Sequence, residues 1–450
     1  MSANPPNSSR ARQYHEEDAL LPSSGDHKQA ETWKNPRVNI WRFFATNFAF
    51  VILGANDAVY GALIPYLEEY YNQTYTTISL IFLSPIVGYV TSALLNNMIH
   101  MHLGQRGIAI LGPGAHLIAY VIVCLHPPYP VLVVVFMIAG FGNGVADAAW
   151  NAWLGAMENS NELLGFLHGF YGLGAMLAPL IATTLITKAG WEWYMFYYIM
   201  VGGAVLEVIF LVSAFWTATG DKYREAHPPT TEESLLEQRR IESNSVFTKL
   251  LGKSRTAEAM SNKVTWLCSL FLIAYVGVEV AIGGWVVTFM IKIRHGTPFA
   301  SGMVATGFWT GITVGRVILG FVTPRLFPTE KHATAVYLIA AVILQLLFWL
   351  IPNFIVSAVV VSFLGFFLGP LFPATIIAAT KLLPKQLHVS AIGFAAALGA
   401  AGATILPFAV GAIAEVKGVW VLNPIALAMI AACLTIWLCF PSMRNKHPAA

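Results

Sequence analysis

The sequence predicts an all-α membrane protein, with twelve transmembrane helices arranged in two pseudo-symmetric six-helix bundles. Of its 450 residues, 56% are hydrophobic and 11% are charged, and the mean hydropathy is +0.63. A soluble domain contains about 25% charged residues. About twelve apolar stretches are long enough to cross roughly 30 Å of hydrocarbon. A central polar segment divides these stretches six and six, and two small-residue motifs recur about half the chain apart.

Each predicted span is an apolar run of about 20 residues or more. In chain order the spans are 41–66, 76–97, 107–126, 131–156, 165–188, 194–216, 264–290, 299–323, 333–352, 354–380, 389–414 and 418–440. The polar composition of the remaining segments predicts three further regions around the two bundles. The domains are a disordered cytosolic tail (1–40), an N-terminal bundle (41–216), a cytosolic linker (217–263), a C-terminal bundle (264–440) and a short cytosolic tail (441–450).

Two motifs repeat at nearly the same offset. Span 5 contains Gly174-Ala175 followed by Pro179, and span 11 contains Gly402-Ala403 followed by Pro407, with the same G-A-x-x-x-P spacing. A G-x-x-x-G pair starts at Gly140 in span 4 and at Gly365 in span 10. Small residues at this spacing let membrane helices approach closely. Their recurrence predicts duplicated halves, which usually place a substrate site between them near the midplane.

Positive charge predicts the orientation. If both termini are cytosolic, 21 of the 26 Lys and Arg residues lie on the cytosolic side, in agreement with the positive-inside rule. The glycosylation sequon 72–74 then falls in the first external loop. Residues 1–38 contain no signal peptide, so we expect the first span to act as the insertion signal. The stretch 16–21 fits an acidic dileucine sorting signal, which leaves the plasma membrane and a vacuolar or endosomal membrane both open.

Two aspartates lie inside predicted spans, Asp57 in span 1 and Asp147 in span 4. An ionised carboxylate in hydrocarbon costs at least a few kcal/mol. A helix can carry such an acid if it faces a cavity, finds a partner or is protonated. The pair therefore indicates proton handling, and a structural polar seam between helices is the alternative.

Polar side chains follow one face of span 4 around Asp147. Asn143, Asp147, Trp150 and Asn151 are spaced i, i+4, i+7 and i+8. Amides can bond hydroxyl groups, and an indole ring can cover the apolar side of a sugar ring. This face predicts binding of a hydroxylated ligand. In span 5, His168 and Tyr171 are a further candidate pair for the substrate, with a hydrogen bond from His168 to loop backbone as the alternative.

The architecture resembles the major facilitator superfamily over about residues 40 to 440. That superfamily has a G-x-x-x-D-R-x-G-R/K-R/K signature in loop 2–3, of which this chain keeps Gly104 and Arg106. The second-half counterpart begins near Arg316 and keeps Gly320 and Arg325. The resemblance implies a gating role for Gly104, Arg106, Arg316 and Arg325.

A more specific resemblance rests on residues 144–153, 162–174, 348–352 and 369–373. These runs are similar to a fungal bypass-of-stop-codon-like group, which is related to fucose–proton symporters. Those symporters depend on one acid in span 1 and one in span 4, and this implies proton coupling by Asp57 and Asp147. The seventh helix lines the cavity in the superfamily, which implies proton or substrate roles for Glu279 and Trp285.

The same resemblance places the third and sixth helices at the periphery. It therefore favours a packing role for His116 in span 3 and for Glu207 in span 6. A count of depth at about 1.5 Å per residue separates Arg316 from Glu279 by roughly 10 Å. We therefore expect these two side chains not to form a salt bridge unless a helix breaks.

These observations predict a secondary active transporter that takes up a small hydroxylated solute, such as a sugar, with protons, by alternating access. An exporter of amphipathic metabolites or drugs and a non-transporting membrane sensor are the alternatives. The sequence contains no phosphate-binding GxxxxGK[ST] loop, so ATP-driven transport has no support. We expect no enzyme activity, cofactor, metal or nucleic-acid partner; the four cysteines lie in spans without metal-ligand spacing. The expected partners are the solute, protons and the lipid bilayer, with a monomer as the working unit.

Overall fold

A computed structural model describes residues 31–226, 259–384 and 387–443. Twelve helices in these ranges are long and apolar enough to cross a membrane, which confirms the predicted fold class. The helices are α1 (Val38–Tyr71), α2 (Tyr75–Asn96), α3 (Met98–Cys124), α4 (Tyr129–Gly155), α5 (Glu162–Ala189), α6 (Trp193–Phe215), α7 (Lys263–Lys292), α8 (Pro298–Leu326), α9 (Glu330–Leu350), α10 (Phe354–Leu382), α11 (Ala391–Lys417) and α12 (Val419–Leu438). The predicted sorting signal and most of the linker lie outside the described residues.

Local sequence sets the starts of α7 to α10. Each of the four begins after a side chain that accepts a hydrogen bond from a backbone N–H in the first turn, as N-caps do. The caps are Asn262, Thr297, Thr329 and Asn353. In α8 the cap is followed directly by Pro298, which suits the first helical position because its missing N–H would have no partner there.

The two bundles repeat the same helix pairing. In the first bundle α1 packs on α5 and α6, and α3 packs on α6. In the second, α7 packs on α11 and α12, and α9 packs on α12. The pairing of α2 with α4 likewise recurs as α8 with α10. This repetition confirms the pseudo-symmetry that the sequence motifs predict.

The motif glycines lie at equivalent crossings in both bundles. A Cβ built at Gly174 would lie 2.0 Å from the carbonyl oxygen of Val51 in α1, and one at Gly402 would lie 2.3 Å from that of Ile273 in α7. Such distances exclude any side chain larger than hydrogen. The glycines are therefore needed for close helix approach, which is the physical basis of the repeat.

The bundles meet at the end that carries loop 1–2, here named the loop 1–2 end. The backbone N–H of Tyr75 donates to Glu415 over 2.8 Å, and Lys292 Nζ lies 3.6 Å from Glu68 Oε1. A Cβ at Gly61 would lie 2.1 Å from the carbonyl oxygen of Gly283. Each contact joins the first bundle to the second, so the structure is closed at this end.

The opposite end, where α1 begins and α12 ends, is named the terminal end. Gly165, Gly169 and Gly172 share one face of α5. A Cβ at Gly172 would touch Thr313 of α8, whereas one at Gly169 or Gly165 would meet no atom within 4 Å. Contact between the bundles along this face therefore stops near the middle of α5. The space between the bundles from there towards the terminal end is named the cavity.

Residues 31–37 depart from the predicted disordered tail. Thr32 and Asn35 exchange backbone hydrogen bonds of 3.1 and 3.3 Å, and the N–H of Glu158 donates to the carbonyl oxygen of Glu31 over 3.0 Å. The Asn39 amide also donates to the Glu31 carboxylate. These contacts hold the approach to α1 against loop 4–5, so these residues form part of the folded bundle.

Candidate functional site

Asp57 lies in the middle of α1 and is half-buried. Its Oδ1 accepts hydrogen bonds from the amide nitrogens of Asn56, at 3.1 Å, and Asn143, at 2.8 Å. Its Oδ2 accepts a hydrogen bond of 3.0 Å from the Tyr171 hydroxyl. Three donors from α1, α4 and α5 therefore compensate one carboxylate inside the membrane span, as a charged or titrating acid requires.

Asp147, in the second half of α4, is exposed and interacts electrostatically with Asp57, which places it on the side of the cavity. Its Oδ1 accepts a hydrogen bond of 2.8 Å from the amide nitrogen of Asn151. The amide oxygen of Asn151 lies 3.1 Å from His168 Nε2. Because that oxygen can only accept, Nε2 of His168 carries the hydrogen. An asparagine therefore joins this aspartate to a histidine.

A second asparagine of α4 joins Asp57 to a histidine in the same way. Asn143, which donates to Asp57, places its amide oxygen 2.9 Å from His116 Nε2. Nδ1 of His116 lies 3.0 Å from Glu207 Oε2, and both side chains are 0% exposed. Asp57, Asn143, His116 and Glu207 thus form one continuous chain of hydrogen bonds from α1 to α6. The sequence analysis favours a packing role for His116 and Glu207. The signal for their pairing was that each is a titratable side chain in an otherwise apolar span.

Glu279 and Arg316 form a salt bridge, so the prediction from depth is wrong. Arg316 Nη2 lies 3.0 Å from Glu279 Oε1. The count along the helix axis ignored the length of the arginine side chain, which spans the difference in height. Arg316 also interacts electrostatically with His168 and Tyr171 of the first bundle. The second bundle therefore places this pair opposite His168 and Tyr171.

A break in α10 supplies a second partner for Arg316. The helix is interrupted between Leu368 and Leu371, at Gly369-Pro370. Pro373 has no N–H with which to bond the Gly369 carbonyl four residues earlier. Arg316 Nε instead donates to that carbonyl oxygen over 3.2 Å. The sequence Gly-Pro-x-x-Pro thus creates the acceptor that orients the guanidinium.

Two predicted ligand-stacking rings lie elsewhere. Trp150 is 0% exposed and stacks on Phe215 of α6 at 4.6 Å between ring centroids. Trp285 is also 0% exposed; its Nε1 donates to the Pro407 carbonyl, and its ring meets Tyr75 edge-on. The first ring belongs to the core of one bundle and the second to the closed loop 1–2 end. Neither ring faces the cavity in this structure.

The predicted gating residues of loop 2–3 contact the end of their own bundle. Gly104 has φ +68°, and a Cβ there would lie 2.4 Å from the carbonyl oxygen of Ala218. The Arg106 N–H donates to that same oxygen, and its guanidinium lies 5.4 Å from the Trp216 ring centroid. Arg325 donates to the carbonyl of Phe321 in its own helix. Loop 2–3 is thus docked onto the segment that follows α6.

In the described ranges, no group of three His, Cys, Asp or Glu is placed to hold a metal ion. The polar groups around the cavity are carboxylates, amides, hydroxyls, one imidazole and one paired guanidinium. Such a set can bind hydroxyl groups by hydrogen bonds and can accept protons at its acids.

Two known proteins are similar to this chain in sequence. Bypass of stop codon protein 6 of Saccharomyces cerevisiae is 29% identical over 462 residues, covering 98% of this chain and 93% of the relative. The glucose/mannose transporter GlcP of Bacillus subtilis is 23% identical over 367 residues, covering 80% of this chain and 85% of the relative.

Solved structures share the fold. A D-xylose-proton symporter matches with a TM-score of 0.71 at 13% identity, covering 90% of this chain and 99% of its own. A variant of the E. coli fucose:proton symporter FucP matches with a TM-score of 0.58 at 14% identity, covering 89% and 98%. The Major Facilitator Superfamily profile matches residues 46–407. This chain is therefore a multi-pass membrane transporter that belongs to the Major Facilitator Superfamily.

Proposed function

We propose that this transporter takes up a small hydroxylated solute, such as a sugar, together with protons by alternating access. The observation that carries the proposal is the placement of Asp57 and Asp147 beside one central cavity, each tied to an asparagine amide. The names of the similar proteins, a glucose/mannose transporter and two sugar–proton symporters, support the solute class.

The solute would bind among the hydrogen-bonding groups at the middle of the cavity. Asn151, His168 and Tyr171 line the first bundle there, and the Glu279–Arg316 pair lies opposite. Because Arg316 is neutralised by Glu279, these described residues offer no free guanidinium to an anionic group. The arrangement favours an uncharged ligand rich in hydroxyls.

Protonation would connect the acids to the transport cycle. A bundle can close around a neutral carboxyl at lower cost than around a carboxylate. We propose that protonation of Asp57 and Asp147 accompanies closure around the loaded site, and that proton release accompanies reopening. With both termini cytosolic, as the charge distribution favours, the cavity described here opens to the cytosol.

The test uses proteoliposomes with a panel of radiolabelled sugars and polyols. Asp57→Asn and Asp147→Asn should each abolish accumulation driven by a proton gradient, because the neutral amide cannot take up a proton. Exchange of solute at equal pH should survive in at least one variant, because exchange moves no net proton.

Asp221→Asn is the matched control, since Asp221 is an exposed acid in the helix Gly220–Ala226 outside the spans. It should accumulate solute like the parent. Full accumulation by both Asp57→Asn and Asp147→Asn would refute proton coupling through these acids.

A further inference from the structure

The two oxygens of Asp57 have different kinds of partner. Oδ1 is bonded by two amide N–H groups, from Asn56 and Asn143, whereas Oδ2 is bonded by the Tyr171 hydroxyl. An amide NH₂ group can only donate, but a hydroxyl can donate or accept. A proton on Oδ1 would point at two donors. A proton on Oδ2 would find an acceptor after the Tyr171 hydroxyl turns.

This difference lasts only while the two amides keep their orientation. A rotation of the Asn143 amide by half a turn would present its oxygen to Asp57 and its nitrogen to His116. The Nε2–H of His116 prevents this, because two donors would then face each other. Asn56 is held in the same way, since its amide oxygen accepts a hydrogen bond of 3.2 Å from the Tyr120 hydroxyl.

Glu207 keeps the hydrogen of His116 on Nε2. With Nε2 protonated, the pair shares one further proton between His116 Nδ1 and Glu207 Oε2, and its net charge is zero wherever that proton lies. In the other tautomer, Nδ1–H would donate to Glu207 Oε2. An ionised Glu207 would then give the pair a net negative charge at 0% exposure, and a proton on Oε1 would find no hydrogen-bond partner among the described residues. Burial of an uncompensated charge is costly, so the neutral pair is favoured.

Resting on the proton-coupled function proposed above, we infer that the coupled proton binds Oδ2 of Asp57, with His116 and Glu207 as positioning residues that keep Oδ1 blocked. The proton passes from a hydronium ion in the cavity to Oδ2, leaving water and a neutral carboxyl. The other titratable groups that face Asp57 are the carboxyl of Asp147 and the hydroxyls of Tyr60, Tyr89 and Tyr120.

Infrared difference spectra between acidic and alkaline pH test this assignment on the full chain in lipid. The carbonyl stretch of the protonated Asp57 is the band that disappears in Asp57→Asn. A carbonyl stretch rises in frequency when the oxygen loses a hydrogen-bond donor. If Oδ2 carries the proton, the carbonyl oxygen is Oδ1, so Asn56→Ala should raise the frequency and Tyr171→Phe should leave it unchanged. The reverse pattern would overturn the inference.

Two changes at Glu207 test the positioning role. Glu207→Gln can still donate to His116 Nδ1, so the band should stay at the parent frequency. Glu207→Leu removes that partner and frees the Asn143 amide, so the band should rise or split. Identical spectra for the two variants would overturn the positioning role, and Asn56→Ala still tests the oxygen assignment if Glu207→Leu does not fold. Absence of any Asp57 band in the parent at all pH values would overturn the proposed proton coupling as well.

Discussion

Arg316 holds together three elements of the second bundle through one side chain. It bonds Glu279 of α7 and the Gly369 carbonyl at the break in α10, while it belongs to α8. The Glu279 side chain is 7% exposed and that of Arg316 is 19% exposed. Removal of one partner from such a pair leaves a buried charge without compensation, which costs about 3–5 kcal/mol.

Arg316→Gln should therefore lower the melting temperature of the purified protein by about 5 °C or more. Adding Glu279→Gln should recover part of that loss, because the double variant has no unpaired charge. Arg325→Gln is the control, since Arg325 is exposed and its guanidinium donates to a carbonyl of its own helix. Equal melting temperatures for Arg316→Gln and Arg325→Gln would contradict a stabilising role for the pair.

Trp150 shows where residue-level prediction reaches its limit. Positions 147 and 150 differ by about 60° around a helix, so periodicity alone put both side chains on one face. That angle is enough to separate an exposed acid from a ring packed on Phe215. The acids themselves were found because charge in an apolar span is conspicuous, whereas the direction of an indole depends on neighbours that no local pattern contains.

At the scale of elements, a break near the start of α3 depends on Gly104. Helical backbone runs from Pro85 to Cys124 and is interrupted at Gly104, where ψ is −164°. The segment that follows α6 packs against this break: a Cβ at Gly220 would lie 2.3 Å from the carbonyl oxygen of His102. A backbone with positive φ and no room for a side chain at this contact requires glycine.

Gly104→Ala should consequently destabilise the first bundle by about 1–3 kcal/mol, from backbone strain and from the clash with Ala218. Thermal unfolding in detergent measures the effect. Gly320→Ala provides the comparison, because Gly320 is the matching position of the second half and a Cβ there would meet no atom within 4 Å. If both variants melt alike, the docking of loop 2–3 does not contribute to stability.

Spans and repeats were predictable because they rest on regular features, apolar length and small-residue spacing. The chain from Asn143 to Glu207 was not, because His116 and Glu207 are 91 positions apart on helices expected to be peripheral. Their pairing arises from the packing of α3 on α6. Elements can thus be predicted singly, while polar contacts between them depend on rotation about each helix axis.

At the scale of the whole molecule, the loop 1–2 end must separate if the site is to open on that side. Ser79 is 0% exposed there, and a Cβ at Gly411 would lie 1.6 Å from its Oγ. The crossing of Gly61 with Gly283 also leaves no room for a side chain, with 2.1 Å from a Cβ at Gly61 to the Gly283 carbonyl oxygen. Contacts of this kind exist in the closed arrangement alone, so enlarging one residue penalises that arrangement selectively.

Gly61→Ala should therefore shift the population towards the state that is open at the loop 1–2 end. A closed-state cost of about 1–3 kcal/mol changes the ratio of states by about 5- to 150-fold. In a background without Cys124, Cys268, Cys433 and Cys439, Ser79→Cys reports the change as faster alkylation. Gly114→Ala is the control, with no atom within 4 Å of the new Cβ. Unchanged alkylation in Gly61→Ala would show that this crossing does not set the balance.

The spacing of polar residues on α4 has a mechanical consequence. Asn143 reaches Asp57 and His116, and Asn151, two turns away, reaches His168 and also bonds Asp147. A rotation of α4 about its own axis would break the hydrogen bonds of both amides in a single motion. A solute that binds Asn151 and rotates α4 would then change the proton affinity of Asp57. By reciprocity, the charge on Asp57 changes the affinity for the solute.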